Sequence, residues 1–132
     1  MEANELRLGN IIYSLGQKHE GGKMLGWINY EVPVDLEVLQ NIILKNTYFA
    51  YSPIPLTEER LLEFGFEKEF KHFQMSAEIF AFVKSEIYLH FIDGECWLCE
   101  EYDSNLSKMR KLKGVHDLQN LYFAIKGEEL TI

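Results

Sequence analysis

The stretch Ile87-Tyr88-Leu89-His90-Phe91-Ile92-Asp93-Gly94-Glu95-Cys96-Trp97-Leu98-Cys99 decides the fold. Two runs rich in aromatic and aliphatic residues flank Asp93-Gly94, a pair favoured in two-residue hairpin turns because both positions tolerate positive φ. That turn sets a register pairing Ile92 with Glu95, Phe91 with Cys96, His90 with Trp97, Leu89 with Leu98 and Tyr88 with Cys99. One face of the hairpin then carries Leu89, Leu98, Phe91 and Cys96, a core face. The other presents Tyr88, Cys99, His90 and Trp97. A slip of one residue would exchange the two sets. Upstream, Ile79, Ala81 and Val83 alternate with Phe80 and Phe82. Both faces of that strand are apolar, so both are expected to be covered. The region 66–102 reads as antiparallel strands.

A short helix precedes these strands. Thr57 is a natural N-cap, and Glu58 and Glu59 fall in the first turn, where the helix dipole favours acids. Leu56 and Leu61 occupy hydrophobic-staple positions. Gly65 followed by Phe66 reads as a Schellman ending. These carboxylates are explained by capping, not catalysis. Ahead of them Pro53-Ile54-Pro55 forbids a helix and marks a joint.

On the N-terminal side of the joint, Gly9-Asn10 signals a turn and Ile11 to Tyr13 a strand. Gly21-Gly22 forms a tip, and Met24 to Tyr30, with Trp27, a second strand. Residues 35–45 have helical spacing, with Leu36, Leu39 and Ile43 in one stripe widened by Val38 and Ile42. Asp35 is placed to cap this helix and Asn46 to end it, and 48–51 is expected to be extended. Beyond the hairpin, 103–113 reads as a polar loop. The last element starts at Val115-His116-Asp117 and is a helix on Leu118, Leu121, Tyr122 and Ile125, stopped by Gly127.

Composition limits function. The chain has 132 residues, 21 acids against 13 bases, a net charge of −8, and 47% apolar residues. A packed core is expected, and disorder is excluded as the main description. The acidic balance disfavours a phosphate backbone as partner, because that grip relies on clustered Lys and Arg. The densest basic stretch, Lys108, Arg110, Lys111 and Lys113, reads as a solvated loop. The acidic start lacks a signal-peptide pattern, and no run approaches the length that spans a bilayer, so no membrane partner and a cytoplasmic location are expected.

Motifs for chemistry are sparse. Cys96 and Cys99 have CxxC spacing, yet residues i and i+3 of a strand point to opposite faces, and no second pair exists for a zinc ribbon. His19, His72, His90 and His116 show no ligand spacing. There is no nucleophile elbow and no phosphate loop. No metal, no cofactor and no catalytic residue is assigned. The face formed by Tyr88, His90 and Trp97 is the candidate partner-binding surface, unless another part of the chain covers it.

Three blocks carry a resemblance: Glu5-Leu6-Arg7-Leu8-Gly9-Asn10 at the start, Pro53-Ile54-Pro55-Leu56-Thr57-Glu58-Glu59-Arg60-Leu61-Leu62-Glu63-Phe64-Gly65-Phe66 in the middle, and Val115-His116-Asp117-Leu118-Gln119-Asn120-Leu121-Tyr122-Phe123-Ala124 with Gly127-Glu128-Glu129-Leu130 at the end. In that order the chain resembles a family of short uncharacterised Bacteroidetes proteins that often lie in prophage or other mobile regions. The resemblance implies a small cytosolic accessory protein and carries over no site residue.

The expected fold is α+β. A small β-rich part with one helix, similar to the opening of an SH3-like barrel, occupies 1–52. An α-β-β-β-α module occupies 53–132, packed with the first as one compact unit. The functional reading is a non-enzymatic protein-interaction module, binding another protein or a second copy of itself. The alternatives are a small enzyme or ligand-binding domain with a cleft between the modules, and an acidic mimic of nucleic acid.

Overall fold

The computed structural model describes Met1, residues 3–44 and residues 50–132. The fold is α+β, with two antiparallel sheets and a helix near the C-terminus. In chain order the elements are β1 (Ile11–Glu20), β2 (Lys23–Pro33), α1 (Leu36–Leu44), β3 (Tyr51–Ser52), α2 (Glu58–Glu63), β4 (Glu67–Gln74), β5 (Ala77–Lys84), β6 (Ile87–Ile92), β7 (Glu95–Tyr102), β8 (Asn105–Lys111) and α3 (Val115–Lys126). The chain divides into two units. One comprises Met1–Pro55 and Gly114–Glu128, the other Leu56–Lys113 and Glu129–Ile132. This division differs from the expected 1–52 and 53–132, because α3 groups with the N-terminal unit. The second unit is thus an insertion into the first, followed by a short C-terminal tail.

In the first unit the strand order is β2-β1-β3. Its core is Ile12, Val34, Val38 and Ile42, with Leu6, Leu39 and Tyr51 packed around them. Each fully buried aliphatic side chain here contributes roughly 1.5–3 kcal/mol. Asp35 caps α1 as expected, its Oδ1 accepting from the Val38 N–H at 2.9 Å. The buried face of α1 centres on Val38 and Ile42, whereas Leu36 and Ile43 are exposed. Apart from the side with Glu37, Gln40 and Asn41 the helix is apolar, an arc wider than its buried face, so spacing alone could not select which part of the arc faces inward. The expected stop at Asn46, along with Lys45 and Tyr48, lies outside the described residues.

Helix α3 is fastened to the start of the chain by amide side chains. The Asn120 Oδ1 accepts from Asn10 Nδ2 at 2.9 Å and from Arg7 Nε at 3.0 Å. Its Nδ2 donates to the Glu5 carbonyl at 3.0 Å. Gln119 Oε1 accepts from the Ile11 N–H at 2.8 Å. Asn10 closes its own turn, its Oδ1 accepting from the Arg7 N–H at 2.7 Å. The Arg7 guanidinium also lies 4.3 Å from the centre of the Phe123 ring, within cation–π range. Asn10 and Gln119 are buried, so each of these bonds satisfies a group that would be costly to leave unpaired.

The second unit is a meander, with strand order β4-β5-β6-β7-β8. All four hairpins turn in two residues at positive φ, as type I′ turns require: Met75-Ser76, Ser85-Glu86, Asp103-Ser104 and Asp93-Gly94. The Asp93-Gly94 register places all five pairs as the sequence indicates. The unit has five strands where three were expected. In particular, the region read as a polar loop at 103–113 contains β8, which pairs with β7. Edge strands are commonly polar and lysine-bearing, and β8 has only Leu106 and Met109 as apolar residues, so its pattern does not announce a strand. The basic stretch Lys108, Arg110 and Lys111 therefore lies on an edge strand.

Helix α2 begins and ends where the sequence places it. Thr57 Oγ1 accepts from the Arg60 N–H at 3.1 Å. At the other end Gly65 N–H donates to Leu62 O and Phe66 N–H to Leu61 O, both at 3.0 Å, which is the Schellman pattern. Gly65 has φ +89, the left-handed conformation that this ending needs. Leu61, Phe64, Phe66, Phe82, Ile87 and Leu89 are buried in this unit.

Asn120→Ala should destabilise the protein by about 3 kcal/mol, because it removes at once the acceptor of Asn10 Nδ2 and Arg7 Nε and the donor to the Glu5 carbonyl. Urea denaturation followed by circular dichroism measures this. Replacing Ser85-Glu86 by Asn-Gly should stabilise by about 1 kcal/mol, because Asn and Gly adopt positive φ at lower cost. A lower urea midpoint for this variant would contradict the turn assignment.

Candidate functional site

The register fixes which side chains share a face of the five-stranded sheet. His72 pairs with Ile79, and Val83 with Tyr88. Tyr88 pairs with Cys99, His90 with Trp97, and Cys99 with Lys108. With alternation along each strand, His72, Ile79, Tyr88, His90, Trp97, Cys99 and Lys108 share one side. The three candidate residues Tyr88, His90 and Trp97 are therefore brought together, and each is half-buried.

This face is curled inward. Lys71, at a bulge in β4, carries its ammonium to within 4.0 Å of Glu101 on β7 and 3.2 Å of Glu69. The same ammonium lies 5.0 Å from the centre of the Tyr88 ring on β6. Lys108 lies 5.0 Å from the centre of the Trp97 ring. Both aromatic rings of the candidate surface are thus covered in part by lysines of the same unit. They do not form a bare apolar patch.

Strands β5 and β6 pair only from Phe82 to Lys84 with Ile87 to Leu89. The ladder does not continue to Phe80, whose carbonyl meets His90 Nδ1 at 2.8 Å instead. At the other end of the face His72 Nδ1 meets the Ser104 carbonyl at 2.8 Å. A carbonyl only accepts, so Nδ1 carries the proton in both rings. Nε2 is then the ring nitrogen that His72 and His90 each leave for another partner.

The two histidines line one cleft of about 740 Å³. Ile79, Ile92 and Leu106 give it apolar lining, and Gln74 and Lys108 add polar groups. Three acids near this face are occupied, and Glu78 also lines the cleft. Glu69 and Glu101 face Lys71, and Glu95 lies 3.5 Å from Lys111. Lys108 has no carboxylate within ion-pair distance among the described residues. Sequence reading missed His72 and Lys108. The first is brought in by the β4 bulge, which no local pattern announces, and the second sits on the strand hidden in the polar stretch.

Cys96 and Cys99 are both buried free thiols. Burial first, and the neighbouring Cys99 second, push the Cys96 thiol from 9.0 up to about 12. Burial also raises Cys99, opposed by Lys108. Thiolate chemistry is thereby suppressed, since only the thiolate is nucleophilic. Among the described residues no three His, Cys, Asp or Glu side chains group so as to hold a metal ion, and no helix is long and apolar enough to cross a membrane.

A thiol whose folded value lies above its unfolded value binds its proton more tightly when folded. It adds stability that is fully present below pH 9.0 and is lost as pH rises towards about 12. The urea midpoint should therefore fall across that window, and Cys96→Val should flatten the fall. An unchanged slope in the variant would show that another group sets the alkaline limb. Comparison with protein-family models, curated proteins and solved structures finds no match to this chain.

Proposed function

We propose that the chain is a non-enzymatic protein-interaction module that self-associates through strand β2. The phage or mobile-element context and the cytoplasmic setting are part of this reading and rest on the resemblance. The observation that carries the proposal is the ribbon of β1 and β2. Strand β2 spans Lys23–Pro33 and lies at the edge of its sheet. Trp27 is 59% exposed, and Leu15, Met24, Leu25 and Tyr30 are exposed with it.

A long edge strand with exposed apolar side chains invites pairing, and natural proteins cover or blunt such edges. A bulge where β2 pairs with Lys18/His19 interrupts the ribbon near its tip. Strand β2 keeps its outer edge unpaired within its sheet, and this edge is the one offered to a second β2. Charge favours a second copy in antiparallel order. On β2 itself Lys23 lies at the tip of the ribbon, opposite Glu20 of β1, and Glu31 lies towards its base. Antiparallel pairing centred on Trp27 sets Lys23 of one copy opposite Glu31 of the other.

A ligand-binding reading is favoured by a different observation, the cleft within the second unit. The two readings concern separate surfaces and do not compete.

Light scattering on the eluting purified chain should give twice the chain mass in the micromolar range. Trp27→Lys should give the single-chain mass with an unchanged circular dichroism spectrum. Lys23→Glu should weaken the dimer, and adding Glu31→Lys should restore it. A wild-type protein that remains a monomer across this range would overturn the proposal.

A further inference from the structure

We propose that the cleft in the five-stranded sheet binds a small hydroxylated organic acid. The acid group is taken by Lys108, a hydroxyl donates to the imidazole Nε2 of His72 or of His90, and the apolar body lies over Ile79, Ile92 and Leu106. This inference is independent of the β2 interface, because all its residues belong to the inserted unit.

The charge pattern points to an anion. Lys71 and Lys111 already face carboxylates, whereas Lys108 faces the Trp97 ring and no carboxylate among the described residues. Glu78, from a strand position that alternates with Ile79, also lines the cleft, and it lies beyond ion-pair distance of Lys108. The concave side therefore offers an ammonium whose charge an acid would match.

The histidines point to a second feature of the ligand. Each ring is fixed through Nδ1–H to a backbone carbonyl at 2.8 Å, so Nε2 of the neutral ring accepts. An acceptor pair complements hydroxyl groups and repels a bare carboxylate. The ligand that satisfies both features carries one acid and at least one hydroxyl. The volume of about 740 Å³ falls in the range of small-molecule sites and exceeds what an ion needs. The net charge of −8 works against polyanions at long range, which leaves a singly charged molecule.

The test uses 4-hydroxyphenylacetate as probe, titrated into the full chain while backbone amide shifts are recorded by nuclear magnetic resonance. Saturable shifts confined to the cleft strands are expected. Phenylacetate, which lacks the hydroxyl, and p-cresol, which lacks the acid, should each bind about tenfold more weakly. Lys108→Met keeps the apolar stem and should weaken the acid about tenfold while leaving p-cresol unchanged, whereas Lys111→Met should leave both unchanged. Because two of the comparisons alter only the ligand, a folding defect cannot imitate them. Absence of saturable binding in the millimolar range, shifts outside the cleft, or equal affinity for all three probes would each overturn the proposal.

Discussion

The hydrogen bond from Val115 N–H to the Ile54 carbonyl, at 2.8 Å, joins the point where the chain leaves the first unit to the point where it returns. The inserted unit begins at Leu56 and ends at Lys113, so this bond closes a long excursion at its base. Loop closure of that length carries an entropy cost that rises only slowly with the number of residues. A precise clasp is therefore enough to fix the ends. Gly114 makes the clasp close. A Cβ there would sit 2.8 Å from the Ile54 carbonyl oxygen and 2.9 Å from Pro53 Cβ, tighter than real contacts allow. Glycine is required by proximity, since its backbone is near fully extended (φ 161).

The clasp would count for little if the helix that follows it were loose. The amides of Gln119 and Asn120 hold α3 to residues 5–11 while Leu118 and Tyr122 are buried. Parts of all three sequence blocks therefore meet within one unit: Arg7 and Asn10, then Pro53 and Ile54, then Val115, Gln119 and Asn120. The ribbon keeps its edge strand open, and the meander curls its own face.

Legibility in the sequence followed the range of the interaction. The Asp93-Gly94 hairpin and both ends of α2 were readable, because turn and cap chemistry act over a few residues. The other three turns of the meander use Met75-Ser76, Ser85-Glu86 and Asp103-Ser104, residue types that do not demand positive φ. Their strands were correspondingly blurred, and β8 was lost in a polar stretch. The side of α1 that is buried depended on packing partners, not on period. The placement of α3 with the N-terminal unit depended on amide hydrogen bonds, which leave no hydrophobic rhythm. Of the candidate site, Tyr88, His90 and Trp97 were legible because one register sets all three. His72 arrived through a bulge, and Lys108 through the missed strand.

The cleft itself follows from a fault in the ladder. Where β5 and β6 cease to pair, the Phe80 carbonyl loses its strand partner, and an unpaired carbonyl in a half-covered position is costly. His90 supplies the donor from its ring. The same bond that satisfies the backbone fixes the tautomer, and the tautomer decides what Nε2 offers to the cleft. A glutamine in place of His90 could repair the carbonyl, but it would carry no ring nitrogen beyond it. The structural requirement and the chemistry of the cleft therefore select the same residue, one for each nitrogen.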